Sequence, residues 1–451
     1  MKKVFLCVFI FVFLLTGCRN AASPVVDDTQ TLDFNDGYMF ESTTTKLYGI
    51  LSCENNADGE ADNDNAQQVV QPSDSGALQS YTHTGDALKG EIRGVWLSYY
   101  ELAVDNTRRS REEYTAYIQS LCEKFRPFGI TDAFVHVRPY ADAMYKSSVY
   151  PTSVYTGVTQ GGEAPFDLLE VICQVASAYG IRVHAWVNPY RVHNCADINE
   201  LSESNKARQW YVEGSAEDVA EVGGKLYFNP ASQKAQQLVV EGAREILLNY
   251  PVAGIHIDDY FYPPDCGDFD KAQYENYLSQ GGSLSLDDWR RSNVNNLISN
   301  LYATVKSFGG DRIFSISPAG NINNNYESLY ADVSLWSKGG YADVIIPQIY
   351  FGFMHRSHPF ERCTADWYAL KGAGVKMPVG LALYKAGTED SFAGEGSQEW
   401  KQSSDIITRQ VQYLRSVGAD GFVIFSTEFF LSEDGAAKSE LENLKQYLTA
   451  Y

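Results

Sequence analysis

Residues 254–264 read Gly-Ile-His-Ile-Asp-Asp-Tyr-Phe-Tyr-Pro-Pro, and the fold prediction starts from this stretch. Alternation puts the two isoleucines on one face of a strand and His256 and Asp258 on the other. The strand then meets a second acid, Asp259, three aromatic residues and two prolines. A buried strand that ends in carboxylates and rings is typical of the carboxyl-terminal rim of a parallel barrel, where active sites lie. The alternative is a solvated turn that the two acids merely cap.

Seven further segments carry the strand signal, and amphipathic segments separate them. With residues 254–258, the predicted strands cover 92–98, 133–138, 182–188, 313–317, 344–348, 379–383 and 421–426. The predicted helices cover 111–125, 167–179, 233–249, 287–307, 360–373 and 403–416. Glycines that follow helical segments at 129, 180, 374 and 418 are suited to helix C-caps. This alternation predicts the α/β class and a single (β/α)8 TIM barrel over residues 90–451. The rival is an open doubly wound sheet, but its early phosphate-binding glycine turn is missing from the sequence.

The amino-terminal residues predict a compartment. A basic start precedes an apolar run at residues 4–15, which is too short to span a bilayer. The following Leu15-Thr-Gly-Cys18 resembles the lipobox of bacterial lipoproteins, which implies cleavage before Cys18 and lipidation of its sulfur. Residues 1–17 are therefore predicted to be a lipoprotein signal peptide, and residues 18–89 a lipidated cysteine followed by a flexible acidic tether. A plain secretory signal with a chance cysteine is the alternative.

The predicted location is extracytoplasmic, with a lipid anchor in the cell envelope. In a Gram-negative cell the resemblance implies the outer membrane, and in a Gram-positive cell the outer leaflet of the plasma membrane. The formal net charge of −21 argues against a nucleic-acid partner. The cysteines that remain are scattered without a C-x-x-C pair, and no cofactor motif is present, so we predict neither a cofactor nor a metal site.

Polar and aromatic residues follow the predicted strands, where the rim of the barrel would gather them. The candidate catalytic residues are Asp258, Asp259 and, after the last strand, Glu428. The candidate substrate-binding residues are Arg138, Asp142, His184, Asn188, Tyr190, Arg191, His256, Tyr260, Tyr262, Gln348, Tyr350 and Lys385.

Residue chemistry suggests a role for each group of candidates. The cations Arg138, Arg191 and Lys385 are suited to a sugar carboxylate, although ion pairs with the acids of the site are an alternative. The amides are suited to hydroxyl or acetamido groups, and the tyrosines to sugar faces. His184 and His256 are expected to orient the carboxylates, with metal ligation as the less favoured alternative.

Several strings of sequence carry a family resemblance. They lie at residues 93–96, 137–145, 184–191, 254–263, 288–291, 317–318 and 347–350, for example His-Ala-Trp-Val-Asn-Pro-Tyr-Arg at 184–191. These strings resemble the glycosyl-hydrolase-like family 10 of bacterial lipoproteins, formerly the DUF187 group. The resemblance implies a TIM barrel and glycosidase activity. A member from a Gram-negative envelope acts on peptidoglycan glycan strands stripped of stem peptides, so a polysaccharide of this kind is the expected substrate.

Two catalytic schemes fit the candidate acids. In one, Asp258 is the nucleophile or base, and Glu428 or Asp259 is the acid. In the other, which we favour slightly, one aspartate polarises the substrate's own acetamido group and its neighbour protonates the leaving group. Adjacent like charges would raise one pKa of the pair, as an acid near neutral pH requires.

Two hypotheses from other classes compete with the glycosidase. A lipoprotein that only captures sugars would keep the cleft, but it would have no need of an acid pair. A metal-dependent polysaccharide deacetylase also uses Asp-Asp with histidines, but its H-x-x-x-H spacing does not occur here.

Overall fold

A computed structural model describes residues 88–433 and 435–450. The predicted signal peptide, Cys18 and the tether up to residue 87 lie outside the described residues. Within the described residues, no helix combines the length and the apolar character needed to cross a bilayer.

Eight parallel strands form the central sheet. The chain forms β1 Ile92–Leu97, β2 Asp132–Arg138, β3 Arg182–Val187, β4 Arg191–His193, β5 Val219–Val222, β6 Lys225–Phe228, β7 Gly254–Ile257, β8 Ile313–Ile316, β9 Val344–Ile345, β10 Val379–Ala382 and β11 Gly421–Phe425. The sheet order is β10-β11-β1-β2-β3-β7-β8-β9. Parallel bridges from Val344 to Lys376 and from Gln348 to Gly380 join the two end strands, so the sheet curls into a ring. The predicted (β/α)8 barrel is confirmed, and all eight predicted strands are present.

Helices surround this ring. They are α1 Tyr99–Leu102, α2 Arg111–Phe125, α3 Leu168–Ala178, α4 Lys206–Val212, α5 Gln233–Asn249, α6 Lys271–Ser279, α7 Leu286–Ser307, α8 Ile322–Glu327, α9 Val333–Gly339, α10 Phe360–Leu370, α11 Glu399–Gln402, α12 Ile406–Ser416 and α13 Gly435–Ala450. All six predicted helices are found, and the glycines at 129, 180 and 418 have the positive φ expected at a helix end. Gly374 also has a positive φ, but α10 already ends at Leu370 with Lys371 as its C-cap, so the predicted cap at 374 is wrong. Ser110, Asp167, Ser232 and Ser285 cap the starts of α2, α3, α5 and α7 with their side chains.

The sequence did not predict a small antiparallel sheet between β3 and β7. Its strands are β4, β5 and β6, in the order β4-β6-β5. Strands of three or four residues carry too few alternating positions to give a periodic signal. This sheet matters for function because β4 begins at Arg191, just past the carboxyl end of β3.

The interior of the barrel contains buried polar side chains. At its amino-terminal end, Asp132 accepts from Arg182 Nη2 at 2.8 Å and contacts His184 Nε2 at 2.8 Å. The ring of His184 stacks on Phe134, with centroids 4.7 Å apart. Asp132 thus pairs with polar groups at the amino-terminal end of the strands, whereas the candidate site lies at their carboxyl ends.

Candidate active site

Asp258 is the best-supported residue of the site, because three hydrogen-bond donors from nearby residues converge on its carboxylate. It follows β7 directly and is fully buried. Trp186 Nε1 donates to its Oδ2 at 3.0 Å, and Asn188 Nδ2 lies 3.1 Å from both carboxylate oxygens. The backbone amide of Tyr260 donates to Oδ1 at 3.4 Å. Burial raises the pKa of Asp258 to about 6, although these donors and the charge of Arg191 oppose the rise.

Asp259 contrasts with its neighbour. It is 1% exposed, and neither carboxylate oxygen has a hydrogen-bond partner among the described residues. Burial and the adjacent charge of Asp258 raise its pKa well above the usual value for an aspartate. Burial and the charge of Asp258 therefore both favour the protonated form of Asp259.

Gln348 and Tyr350 stand beside Asp259 with unused hydrogen-bonding atoms. Gln348 opposes the rise in the pKa of Asp259. The amide nitrogen of Gln348 donates to Ser317 O at 2.9 Å. Its Oε1 and the hydroxyl of Tyr350 are buried and have no partner among the described residues. The charge of Asp259 also acts on the Tyr350 hydroxyl. Buried polar atoms without partners are costly, so their concentration here indicates a position for polar groups of a ligand.

His136, which the sequence analysis did not single out, belongs to the same region. Its ring stacks on Trp186 with centroids 3.7 Å apart, and it meets the edge of Tyr99 at 5.4 Å. Both ring nitrogens are buried without partners among the described residues. Burial and the charge of Arg191 lower its pKa well below 6.5, so the ring is neutral. Its place just before Arg138 at the end of β2 was the available signal.

The charge of Arg191 lowers the pKa of both aspartates of the pair. Its Nη2 donates to Tyr140 OH at 2.8 Å, and its guanidinium lies over the rings of Tyr140 and Tyr260, 4.5 Å and 4.8 Å from their centroids. Its backbone amide donates to Asn188 Oδ1 at 3.0 Å, which fixes the amide that holds Asp258. Arg191 therefore places a positive charge near the acid pair, and its backbone amide orients Asn188.

The two predicted histidines have other roles. His184 bonds Asp132 in the lower part of the barrel. His256 Nε2 accepts from Trp96 Nε1 at 3.1 Å, and His256 Nδ1 lies 2.8 Å from Ser315 Oγ. Neither hydrogen-bonds an aspartate of the pair, so the expectation that they orient the carboxylates is corrected. The alternation along β3 and β7 does point both rings inward, but below the rim. His256 lies two residues before Asp258, and His184 lies four residues before Asn188.

Four further candidates are buried, although Arg138, Asp142 and Tyr190 each keep at least one polar atom without a partner among the described residues. Arg138 binds the carbonyls of Asn188 and Pro189 and lies over Tyr150. Asp142 accepts from Gln160 Nε2 at 2.8 Å. Tyr190 is fully buried, and Tyr262 packs against Tyr330 with centroids 5.0 Å apart. These contacts help to hold the loops after β2, β3 and β7, and substrate contact by the four residues stays a prediction.

Lys385, which follows β10, forms an ion pair within its own loop. Its Nζ forms an ion pair with Asp390 Oδ2 at 2.7 Å. Asp390 lies in the loop after β10, so the lysine fastens its own loop. The alternative that the cations of the rim form ion pairs applies here, although the partner is not one of the predicted catalytic acids.

Glu428, the third predicted catalytic acid, is half-buried, and burial raises its pKa. Its backbone amide donates to Glu101, a buried acid that the sequence analysis did not single out. Glu101 also accepts from Thr427 Oγ1 at 2.5 Å and from Ser98 N at 2.6 Å. The carboxylate of Glu101 thus ties the end of β1 to the loop after β11.

The site therefore offers an ionisable acid held by three donors, a second acid whose protonated form is favoured, and uncommitted polar atoms beside it. Cleavage of a glycosidic bond requires an acid that protonates the leaving oxygen and a carboxylate that acts as nucleophile or base or stabilises the anomeric centre.

Comparison with known proteins assigns the family. The model of the family described as Glycosyl hydrolase-like 10 matches residues 91–395. The chain belongs to this family. The family assignment confirms the predicted resemblance and the expected glycosidase class, while the last strand, β11, lies beyond the matched residues.

Two curated relatives of this glycosyl hydrolase-like 10 chain are named glycosyl hydrolases. Glycosyl hydrolase YngK of Bacillus subtilis (strain 168) is 33% identical over 320 residues, which are 65% of this chain and 61% of the relative. The match thus spans less than two thirds of that protein. Glycosyl hydrolase DigH of Escherichia coli (strain K12) is 31% identical over 354 residues, which are 70% of this chain and 79% of the relative.

A solved structure supports the fold of this family member. The glycoside hydrolase domain of PgaB (BpsB) from Bordetella bronchiseptica has a TM-score of 0.54 at 13% identity, and the match covers 79% of this chain and 99% of that domain. At this identity the likeness concerns the barrel alone.

Proposed function

We propose that the protein is a glycosidase that cleaves O-glycosidic bonds in an amino-sugar polymer outside the cytoplasm, with peptidoglycan glycan strands as the substrate. The observation that carries the proposal is the pair Asp258 and Asp259, which is buried at the carboxyl end of β7 and whose two members have unlike surroundings. Family membership supports the glycosidase class, and the peptidoglycan substrate is what the resemblance in the sequence implies.

The unlike surroundings divide the chemistry between the two acids. Asp258, with a pKa of about 6, is the carboxylate that accepts the N–H of a substrate acetamido group. The acetamido oxygen then attacks the anomeric carbon. Asp259 gives its proton to the leaving oxygen, because burial and the charge of Asp258 raise its pKa and so favour its protonated form. Water opens the resulting cyclic intermediate, and the anomeric configuration is retained.

The uncommitted atoms beside Asp259 support a sugar ligand. Gln348 Oε1 is an acceptor for a hydroxyl, and Tyr350 OH can give or accept a hydrogen bond. His136, which stacks on Trp186, adds a neutral ring nitrogen without a partner among the described residues. The half-exposed ring of Tyr260, backed by Arg191, provides a face for stacking.

The location forms part of the proposal. The basic start, the apolar run and Leu15-Thr-Gly-Cys18 support a lipid anchor at Cys18 and a tether that lets the barrel reach the glycan. A Cys18→Ala variant is expected to leave the membrane fraction, as measured by fractionation and immunoblotting. Unchanged sedimentation with membranes would contradict the anchor.

Digestion of defined polymers tests the activity. Purified protein is incubated with peptide-free peptidoglycan, chitin oligomers and an α-glucan, and the products are read by mass spectrometry. We expect cleavage of the peptide-free peptidoglycan, slower or no cleavage of chitin oligomers, and no cleavage of the α-glucan. Binding of glycan without any product from the wild type would instead support a sugar-capture lipoprotein.

Two measurements test the catalytic schemes. Proton NMR of the first product is expected to show the retained anomer, which excludes Asp258 as an inverting base but is shared with Asp258 as a nucleophile. Glu428→Gln is expected to keep most of the activity. A loss of at least about a hundredfold in Glu428→Gln, with the fold intact, would favour the scheme in which Glu428 is the acid.

A further inference from the structure

Three side chains that bind transition metals converge away from the acid pair. His193 ends β4, Glu200 ends the short 3-10 helix Ile198–Glu200, and Cys195 lies between them. One ligand atom from each residue lies within 4.8 Å of the other two. His193 Nε2 and Glu200 Oε2 are 3.1 Å apart. Within residues 88–433 and 435–450, this is the one group of at least three histidine, cysteine or acidic side chains that meets this distance.

The cysteine of this group differs from the others. Cys122, Cys173, Cys266 and Cys363 are buried and free, as expected of small core residues. Cys195 is partly exposed and lies beside an imidazole and a carboxylate. The amide of Asp197 donates to Cys195 Sγ at 3.3 Å, so the backbone holds the sulfur toward the other two ligands. A packing role therefore does not account for Cys195.

We propose that His193, Cys195 and Glu200 form a zinc-binding site. Thiolate, imidazole and carboxylate are the three ligand types that Zn²⁺ takes in proteins, at about 2.0–2.3 Å from the ion. Ligand atoms around a tetrahedral ion at those bond lengths are about 3.5 Å apart, so the present separations need only a small closure. Solvent water supplies the fourth ligand. Sulfur and nitrogen ligands disfavour Mg²⁺ and Ca²⁺, which prefer oxygen.

The position of the site gives it a structural role. Zinc would tie the end of β4 to the 3-10 helix that follows, and so close the segment between His193 and Glu200. The other end of β4 is Arg191, whose amide holds Asn188 and whose guanidinium lies over Tyr260. A bound ion therefore fixes the strand from which Arg191 reaches the acid pair.

Zinc titration of the purified full chain tests this inference independently of catalysis. After chelator treatment and dialysis, the protein is titrated with ZnCl₂ against a chromophoric chelator, and its metal content is measured by mass spectrometry. We expect one zinc per chain and a rise in Tm of a few degrees when zinc is in large excess over Kd. MgCl₂ and CaCl₂ are expected to leave Tm unchanged.

Variants locate the ion. Cys195→Ser and Glu200→Gln are each expected to weaken zinc binding by at least about tenfold. Glu203→Gln is the matched control, because that side chain is 92% exposed and lies three residues beyond Glu200. Absence of stoichiometric zinc in the wild type would overturn the proposal, and so would equal affinity in Cys195→Ser and Glu203→Gln. Circular dichroism of each variant verifies that it is folded.

Discussion

Two buried acid clusters at the same end of the barrel differ in how their oxygens are satisfied. Glu101, between the ends of β1 and β11, accepts from Ser98 N, from the hydroxyl of Thr427 and from the backbone amide of Glu428. Asp259, after β7, has no partner among the described residues for either oxygen. Burial raises the pKa of both acids, and that of Glu101 reaches about 7.

The contrast shows that a raised pKa alone does not identify a catalytic acid. A carboxylate whose acceptor positions are filled by its own fold ties loops together, whereas one that is buried and unfilled is available to a ligand. Asp258 lies between these cases, because Trp186 and Asn188 hold it while its neighbour remains open. Substitutions at the two clusters and beside them test this difference.

The largest expected effect is on catalysis. Asp258→Asn and Asp259→Asn are each expected to lower kcat/KM by at least about a hundredfold, because each removes a proton donor or acceptor of the reaction. Their Tm should stay near that of the wild type, because Asn is similar in size. Product release measured by mass spectrometry and thermal unfolding provide the two readouts. Full turnover by both variants would remove the acids from the mechanism.

Glu101→Gln is expected to show the reverse pattern. An amide cannot accept from all the donors that converge on Glu101, so backbone or hydroxyl donors lose their partners, at a cost of about 1–3 kcal/mol in the free energy of unfolding. Denaturant unfolding measures this loss. The folded fraction should keep activity within about tenfold of the wild type. A stable but inactive Glu101→Gln would make Glu101 part of the chemistry.

The pH dependence of activity tests the surroundings of Asp258. Since Asp258 must be ionised and its pKa is about 6, kcat/KM should fall as pH drops below about 6. Trp186→Phe removes a donor that lowers this pKa, so the acid limb should move to higher pH, with a rate loss of about tenfold. Trp96→Phe is the matched control, because Trp96 donates to His256 instead. An unmoved limb in Trp186→Phe would contradict the assignment.

Tyrosine hydroxyls give a smaller effect. Tyr350→Phe removes a buried hydroxyl without a described partner, so stability should not fall, while KM should rise by about five- to tenfold if the hydroxyl contacts sugar. Tyr114→Phe makes the same change at a buried tyrosine whose hydroxyl donates to Leu102 O, away from the acid pair. It should leave KM unchanged. Equal KM values in the two variants would argue against a sugar contact at Tyr350.

The smallest effect is expected at Lys385. Its charge is paired with Asp390, so Lys385→Met should change kcat/KM by less than about threefold. Steady-state kinetics on the same glycan measures it. A tenfold rise in KM would restore Lys385 as a contact for a substrate carboxylate.

Local signals were sufficient for the scaffold and for part of the site. The strand before Asp258 could be read from alternation, and the glycine at 129 marked a helix end, because both depend on neighbours in sequence. The gathering of Asn188 and Gln348 at one rim followed from the parallel order of the strands. Depth along a strand could not be read, and for that reason His184 was placed too near the rim.

The sequence by itself determined the eight-fold alternation, the positions of Asp258 and Asp259 at a strand end, and the family, because periodicity and contiguous motifs depend on the order of residues. Only the tertiary structure decided which acceptor atoms are filled. It showed that Arg138 and Tyr262 contact neighbouring loops of the protein itself. It also showed that His136 stacks on Trp186 and that Glu101 binds the loop after β11. Hydrogen-bond partners from distant segments are set by packing, so the difference between a structural acid and an open one exists only in the folded chain.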